Sequence, residues 1–219
     1  MDPRQNPAPL TARDLWREVV DELFSLDRGL PYTFVSLWRA PGVTVRRYVE
    51  TRDPKVTRPV RYFLVAAGAM AATVLALRTR LVALGQTPTT GEQAAIANFA
   101  IENLLVINAV GVVCGALVLR LIFSKRGTTF GETLVLSAYS GAQAMWLNVA
   151  FAALIVVARH PWIAVVGSVA MVAYNLWFWA TYFGGRARDW LLAFAAYLLG
   201  QGVLGALAYG VTRALGSSP

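Results

Sequence analysis

Five amide side chains lie inside the longest apolar stretches of this sequence, where a polar group is costly unless it finds a hydrogen-bond partner. They are Asn108, Gln143, Asn148, Asn175 and Gln201. Amides from four neighbouring helices could converge on one internal polar site that binds a ligand or conducts an ion. They could instead form interhelical hydrogen bonds that hold a helix bundle together, each worth about 0.6 kcal/mol. The sequence leaves both interpretations open.

Charged residues that flank the apolar stretches form a second group of candidates, which could contact lipid headgroups or a partner protein. They are Arg28, Arg126, Glu132, Arg186 and Arg188. Glu132 follows Thr129 by three residues, which is the spacing of a capping box at a helix start. Glu132 therefore either caps a helix or forms an ion pair with Lys125, Arg126 or Arg188.

Several kinds of chemistry are excluded by residue type. The chain has one Cys and one His, which cannot make a structural zinc site. It also lacks a phosphate-binding Gly-rich loop, a nucleophile elbow and a His-Glu-x-x-His helix. Glu102 and Glu132 are predicted at opposite membrane faces, which weakens any proposal of a hydrolase that needs two carboxylates on one bond. We therefore expect no cofactor, no metal and no catalytic residue.

The elements that position these residues are predicted to be membrane spans. The chain is 57% hydrophobic, with a mean hydropathy of +0.51, and has five long stretches without charge. A bilayer core of about 30 Å needs roughly 20 mostly apolar residues in a helix. We predict an all-α polytopic membrane bundle with five transmembrane helices, at about residues 60–78, 98–120, 133–158, 161–183 and 190–212.

The rest of the chain is divided by composition. Residues 11–59 are predicted to form short amphipathic helices docked on the membrane, because Pro and Gly corners interrupt an apolar and aromatic pattern that needs burial. Residues 60–213 form the bundle. Residues 1–10 and 214–219 are predicted to be flexible ends.

The basic residues predict the orientation of the bundle. The formal net charge is +8, which in a soluble protein would suggest nucleic-acid binding. Here sixteen of the 20 Lys and Arg residues fall on one predicted side of the membrane and four on the other. The positive-inside rule then places the amino terminus in the cytoplasm and the carboxyl terminus outside. We expect no nucleic-acid partner.

Small residues recur at four-residue spacing, which lets helix backbones approach closely. The glycines concerned are Gly68, Gly111, Gly115, Gly202 and Gly210. The spacing favours packing within the bundle somewhat more than packing between copies of the chain.

One string of residues resembles the signature of an uncharacterised bacterial inner-membrane family, of the domain-of-unknown-function class. It consists of Leu26-Asp27-Arg28-Gly29, Thr33, Leu37, Pro41-Gly42, Tyr48, Arg52 and Pro59-Val60-Arg61-Tyr62, with a second patch at Phe123–Leu136. Members of that family begin with Cys-x-x-Cys pairs that bind zinc, which this chain lacks, and carry His where this chain has Thr133. The resemblance implies a membrane fold and a bacterial inner-membrane location, but no activity. The five-span architecture is also similar to that of Yip-family proteins.

Three classes of function fit these observations. We predict an integral membrane scaffold or accessory subunit without catalytic chemistry, whose partners are the lipid bilayer and another membrane protein. The alternative is a small permease or lipid-handling protein that uses the internal amides. A membrane enzyme that acts on lipid headgroups through Arg126, Glu132 and Arg188 is the third. The oligomeric state is left open.

Overall fold

Seven α-helices make up the part of the chain that the computed structural model describes, which is residues 29–83, 98–99, 101–160 and 162–216. They are α1 (Gly29–Arg39), α2 (Pro41–Thr51), α3 (Pro59–Ala83), α4 (Leu104–Ile122), α5 (Phe130–Ala158), α6 (Trp162–Phe183) and α7 (Ala187–Gly216). The predicted flexible start, the first part of the predicted amphipathic region (residues 11–28) and Arg28 itself lie outside the described residues.

The helices α3 to α7 are each long and apolar enough to cross a membrane. The prediction of an all-α bundle with five membrane-length helices is therefore confirmed. Helix α5 has 29 residues and is about 43 Å long at 1.5 Å per residue, so it exceeds a bilayer core of about 30 Å. Helix α7 extends to Gly216, so the first three residues of the predicted carboxyl-terminal tail are helical.

Three helix starts differ from those predicted, each for a local reason. Helix α5 begins at Phe130, because Thr129 and Glu132 form a capping box that starts the helix three residues early. Helix α4 begins at Leu104 and not at residue 98, because Asn103 has a non-helical backbone. Helix α7 begins at Ala187. Asp189 lies in its first turn, where a negative charge near the positive end of the helix dipole stabilises the helix start.

Helix α5 is central and contacts α3, α4 and α6, while α7 packs against α4 and α6. Short connections make α4 to α7 run alternately up and down. We call the bundle end at Pro59, Phe130 and Phe183 the near face, and the end at Ala83, Ala158 and Trp162 the far face. The fully buried residues include Leu136 and Tyr139 of the central helix α5 and Phe178 of α6.

We call residues 29–58, which contain α1 and α2, the amino-terminal segment. Its closest approach to the bundle is at Gly42, where an added Cβ would lie 2.5 Å from the carbonyl carbon of Thr181. Arg46 donates hydrogen bonds to the carbonyl oxygens of Thr181 (3.0 Å) and Tyr182. A cation at a helix carboxyl end is favourable, because the last carbonyls of the helix have no partners of their own. The segment is thus attached to the end of α6 by both shape and charge.

Substitution of Gly42 by Ala should release this contact. The added methyl group would overlap the α6 backbone, which cannot move cheaply, so we expect a loss of about 1–3 kcal/mol in stability. Gly68→Ala is the matched control, because its added Cβ would meet no described atom within 4 Å. Thermal unfolding in one detergent and the rate of trypsin cleavage after Arg46 measure the effect. Equal behaviour of the two variants would show that the close approach is not required.

Candidate functional site

A buried polar group lies at Gln143, in the middle of α5. Its side chain is 0% exposed. Its Oε1 accepts a hydrogen bond from the Tyr62 hydroxyl at 2.9 Å, and its Nε2 donates to the backbone carbonyl of Phe34 at 3.3 Å. Gln143 therefore joins α3, α5 and α1 through one side chain. A buried amide that satisfies both its ends in this way stabilises one helix arrangement over others.

Two tyrosines extend this polar group along the amino-terminal segment. The Tyr174 hydroxyl donates to the carbonyl of Leu37 at 3.1 Å, which is one of the last carbonyls of α1 and has no partner within that helix. The Tyr139 hydroxyl donates to the carbonyl of Thr57, and the Thr57 amide donates to Thr33 Oγ1 at 2.8 Å. Side chains thus satisfy backbone groups that helical hydrogen bonds leave unsatisfied.

We call the five residues Thr33, Tyr62, Tyr139, Gln143 and Tyr174 the polar seam. All of them are buried. Aromatic rings enclose the seam: Phe34 lies edge-on to Trp146 at 5.9 Å, and Trp38 lies 4.6 Å from Tyr174. The polar seam is consequently a buried contact between the amino-terminal segment and the bundle.

A second set of polar contacts joins the bundle helices to one another. Ser137 Oγ donates to the Val112 carbonyl at 2.8 Å, and Trp179 Nε1 donates to Ser140 Oγ at 3.0 Å. Gly115 lies against Ser137, where a Cβ would be 2.8 Å from the hydroxyl oxygen. These hydrogen bonds therefore join α4 and α6 to the half of α5 that is closer to the near face.

At the near face, Asp189 is 0% exposed and lies between two donors. Arg126 forms an ion pair with its Oδ1, and the Arg186 amide donates to its Oδ2 at 3.1 Å. The adjacent Phe123 and Phe183 rings are stacked at 3.6 Å. These contacts join the α4–α5 connection to the α6–α7 connection. The buried carboxylate thus has both a charged and a backbone partner, and these contacts offset the cost of its burial.

The structure separates the other charged candidates. Glu132 forms the predicted capping box with Thr129, through bonds of 3.2 and 3.4 Å, and Arg126 pairs with Asp189. Arg186 and Arg188 are exposed at the near face. The predicted capping role of Glu132 is therefore confirmed. Arg126, one of the alternative partners, pairs with Asp189 and not with Glu132.

The five amides of the spans do not come together at one site. Asn108 donates to the Leu104 carbonyl of its own helix, and Asn175 donates to the Met171 carbonyl of its own helix. Asn148 makes only a weak contact of 3.9 Å with the Met171 sulfur. Gln201 is exposed on the outer surface of α7. Of the five, Gln143 alone joins different described helices by strong hydrogen bonds, so the amides do not form the internal site that convergence would require.

The five glycines divide between inward and outward positions. Gly111 and Gly115 face α7 and α5, where Leu204 and Ser137 are their neighbours. An added Cβ at Gly68, Gly202 or Gly210 would meet no atom of the described chain within 4 Å. The packing role assigned to Gly111 and Gly115 fits the structure, whereas the other three face the surroundings of the bundle.

Sequence reasoning did not identify Tyr139, Tyr174 or Asp189 as site residues. A usable signal was present in the resemblance, because its residues Thr33, Leu37, Gly42, Tyr48 and Tyr62 are all buried. Tyr48 packs edge-on against Tyr139 at 5.7 Å. The string thus marks the side of the amino-terminal segment that contacts the bundle.

No group of three or more His, Cys, Asp or Glu residues that could hold a metal ion exists among the residues that the structure describes. The polar seam offers hydroxyl and amide hydrogen bonds, and it uses them between helices. Comparison of the chain with protein-family models, with curated proteins and with solved structures gives no match.

Removal of the Gln143 amide should loosen the polar seam. Gln143→Leu leaves the Tyr62 hydroxyl without its acceptor, and we expect a loss of about 1–2 kcal/mol in stability. Asn108→Leu is the control, because that amide bonds within its own helix, and we expect a change within about 0.5 kcal/mol. Unfolding by dodecyl sulfate in mixed micelles compares the two. A loss for Asn108→Leu as large as that for Gln143→Leu would contradict a specific role of Gln143.

Proposed function

We propose that this protein is an integral membrane scaffold or accessory subunit, which holds a partner membrane protein and has no catalytic chemistry of its own. The observation that supports the proposal is the exposure of the carboxyl-terminal half of α7. Beyond Gly200, every residue of α7 with a described side chain is exposed except Leu204. That half includes Gln201, whose amide has no hydrogen-bond partner among the described residues.

The position of Gln201 makes this exposure costly in lipid. It lies fourteen residues after Ala187, about 21 Å along the helix from the near face, and thus within a hydrocarbon core of about 30 Å. An amide at that depth is unfavourable unless another helix supplies a partner. A hydrogen bond from a neighbouring helix would contribute about 0.6 kcal/mol and up to about 1.7 kcal/mol.

The neighbours of Gln201 favour a protein occupant. An added Cβ at Gly202 or Gly205 would have no described atom within 4 Å, and Ala206 is also exposed. Such a surface allows a second helix backbone to approach closely and to gain dispersion contacts that mobile lipid chains supply less well. A transmembrane helix of another protein, with a polar side chain at matching depth, fits this surface.

The internal amides support a scaffold more than a permease. Asn108 and Asn175 are bonded within their own helices, and Gln143 is closed off by Tyr62 and Phe34. A transport pathway would need such groups to face a common cavity. These three amides form hydrogen bonds within the bundle, which favours the scaffold over the permease.

We also propose that the protein lies in a bacterial inner membrane with its near face in the cytoplasm. The support is the sequence resemblance together with the distribution of charge. Described near-face cations include Arg58, Arg120, Lys125 and Arg188, whereas the far face carries Arg78, Arg80, Arg159 and Arg213. The imbalance over the whole chain follows the positive-inside rule.

A photo-crosslinking amino acid at Gln201 tests the scaffold proposal in native membranes. We expect an adduct with a different membrane protein. We also expect Gln201→Leu to reduce recovery of that protein in mild detergent by about threefold or more, since an interhelical hydrogen bond contributes about 0.6 kcal/mol on average and up to about 1.7 kcal/mol. The control is the same probe at Val169, which is 63% exposed on α6. Adducts with lipid alone would contradict the proposal, as would an adduct with a second copy of the chain alone.

Single cysteines test the orientation. In a Cys114→Ala background, a membrane-impermeant maleimide added to intact spheroplasts should label His160→Cys at the far face. It should label Arg188→Cys at the near face only after the membrane is opened, because the reagent cannot cross the bilayer. Both positions are exposed, so accessibility alone does not distinguish them. The reverse pattern would place the near face outside.

A further inference from the structure

A cavity of about 400 Å³ opens at the far face, between the ends of α3 and α5. It is lined by Arg80, Ala83, Val156 and Arg159. Two arginines thus border one cavity, beside two apolar side chains. The cavity lies far from the polar seam, and nothing in the proposed scaffold role uses it.

Neither arginine has a partner for its charge within the described part of the chain. The ion pairs among the described residues join Arg47 to Asp53 and Arg126 to Asp189. The neighbouring Arg78 is held by Asn98, through a hydrogen bond of 2.6 Å to its Oδ1. The guanidinium groups of Arg80 and Arg159 make no such contact with any residue that the structure describes. Arg80 and Arg159 are both exposed. Two like charges beside one cavity repel each other, and a bound anion would offset that repulsion.

The backbone fixes where these arginines lie. Arg80 is in the last turn of α3. Arg159 ends α5 with a left-handed backbone (φ 54°) and donates its amide to the Ile155 carbonyl at 2.8 Å. Both residues therefore leave the ends of parallel helices at the depth where lipid headgroups lie. The apolar Ala83 and Val156 border the same cavity, which suits a ligand that has an anionic end and an apolar continuation.

The geometry points to a binding site for a phosphate group, supplied by an anionic phospholipid of the far leaflet. A guanidinium presents a planar set of donors that matches two phosphate oxygens at once, which a lysine ammonium does not. The phosphate lies between Arg80 and Arg159, and the glycerol and first acyl carbons lie against Ala83 and Val156. This site is independent of the surface around Gln201.

Native mass spectrometry of the full chain in mild detergent tests the site. With phosphatidylglycerol and phosphatidylcholine of the same acyl chains, we expect the wild-type protein to retain phosphatidylglycerol selectively. The double variant R80Q/R159Q should retain about tenfold less, because both guanidinium groups that donate charge-assisted hydrogen bonds to the phosphate are lost. The control R78Q/R213Q removes the same charge from the same face and should retain the lipid as the wild type does.

Three outcomes would overturn the assignment. Equal loss in both double variants would mean that retention follows net charge alone. Equal retention of the two lipids would remove the anion preference. Binding of inorganic phosphate that depends on Arg80 and Arg159, without selective lipid retention, would make the ligand a free anion. If R80Q/R159Q fails to fold, R80K/R159K keeps the charges but loses the planar donors, and we expect it to retain less lipid than the wild type at unchanged thermal stability.

Discussion

The constraint on which this structure depends is the need to satisfy backbone hydrogen bonds without water. The long helices do this internally. The amino-terminal segment cannot, because it breaks at Ala40 and again between Arg52 and Arg58. Tyr174 and Tyr139 satisfy the free carbonyls of Leu37 and Thr57, and Arg46 satisfies those at the end of α6. The buried positions of Tyr139 and Gln143 in α5 and of Tyr174 in α6 are therefore explained by the irregular segment that they contact.

Hydropathy predicted the five long helices well, because the length of an apolar stretch sets its ability to span a bilayer. Local motifs were also readable: Thr129 and Glu132 start α5 as their spacing indicates. The hydrogen-bond partners of the polar residues could not be predicted from the sequence, because they depend on how each helix is rotated about its axis. Gln143 and Gln201 are the same residue type in similar apolar stretches, yet one is fully buried and the other faces outward.

The packing partners of small residues could not be predicted from the sequence either. Gly115 and Gly68 both belong to stripes spaced by four residues. Gly115 lies against Ser137, whereas an added Cβ at Gly68 would meet no described atom within 4 Å. A glycine permits close approach without specifying which helix approaches. Charge behaves similarly: Asp189 and Arg126 lie 63 residues apart in sequence, and only the folded connections bring them together.

The contact between Gly42 and α6 has a consequence for how the protein is made. Arg46 and the carbonyl that it binds at Thr181 are separated by 135 residues, so the amino-terminal segment leaves the ribosome long before its binding surface exists. Helices α3, α4 and α5 must all be synthesised before α6 is complete. Until then the free carbonyls of the segment need water, which keeps it at the membrane surface. The amino-terminal segment is therefore synthesised early, yet it can form its contact with α6 only after α6 is complete.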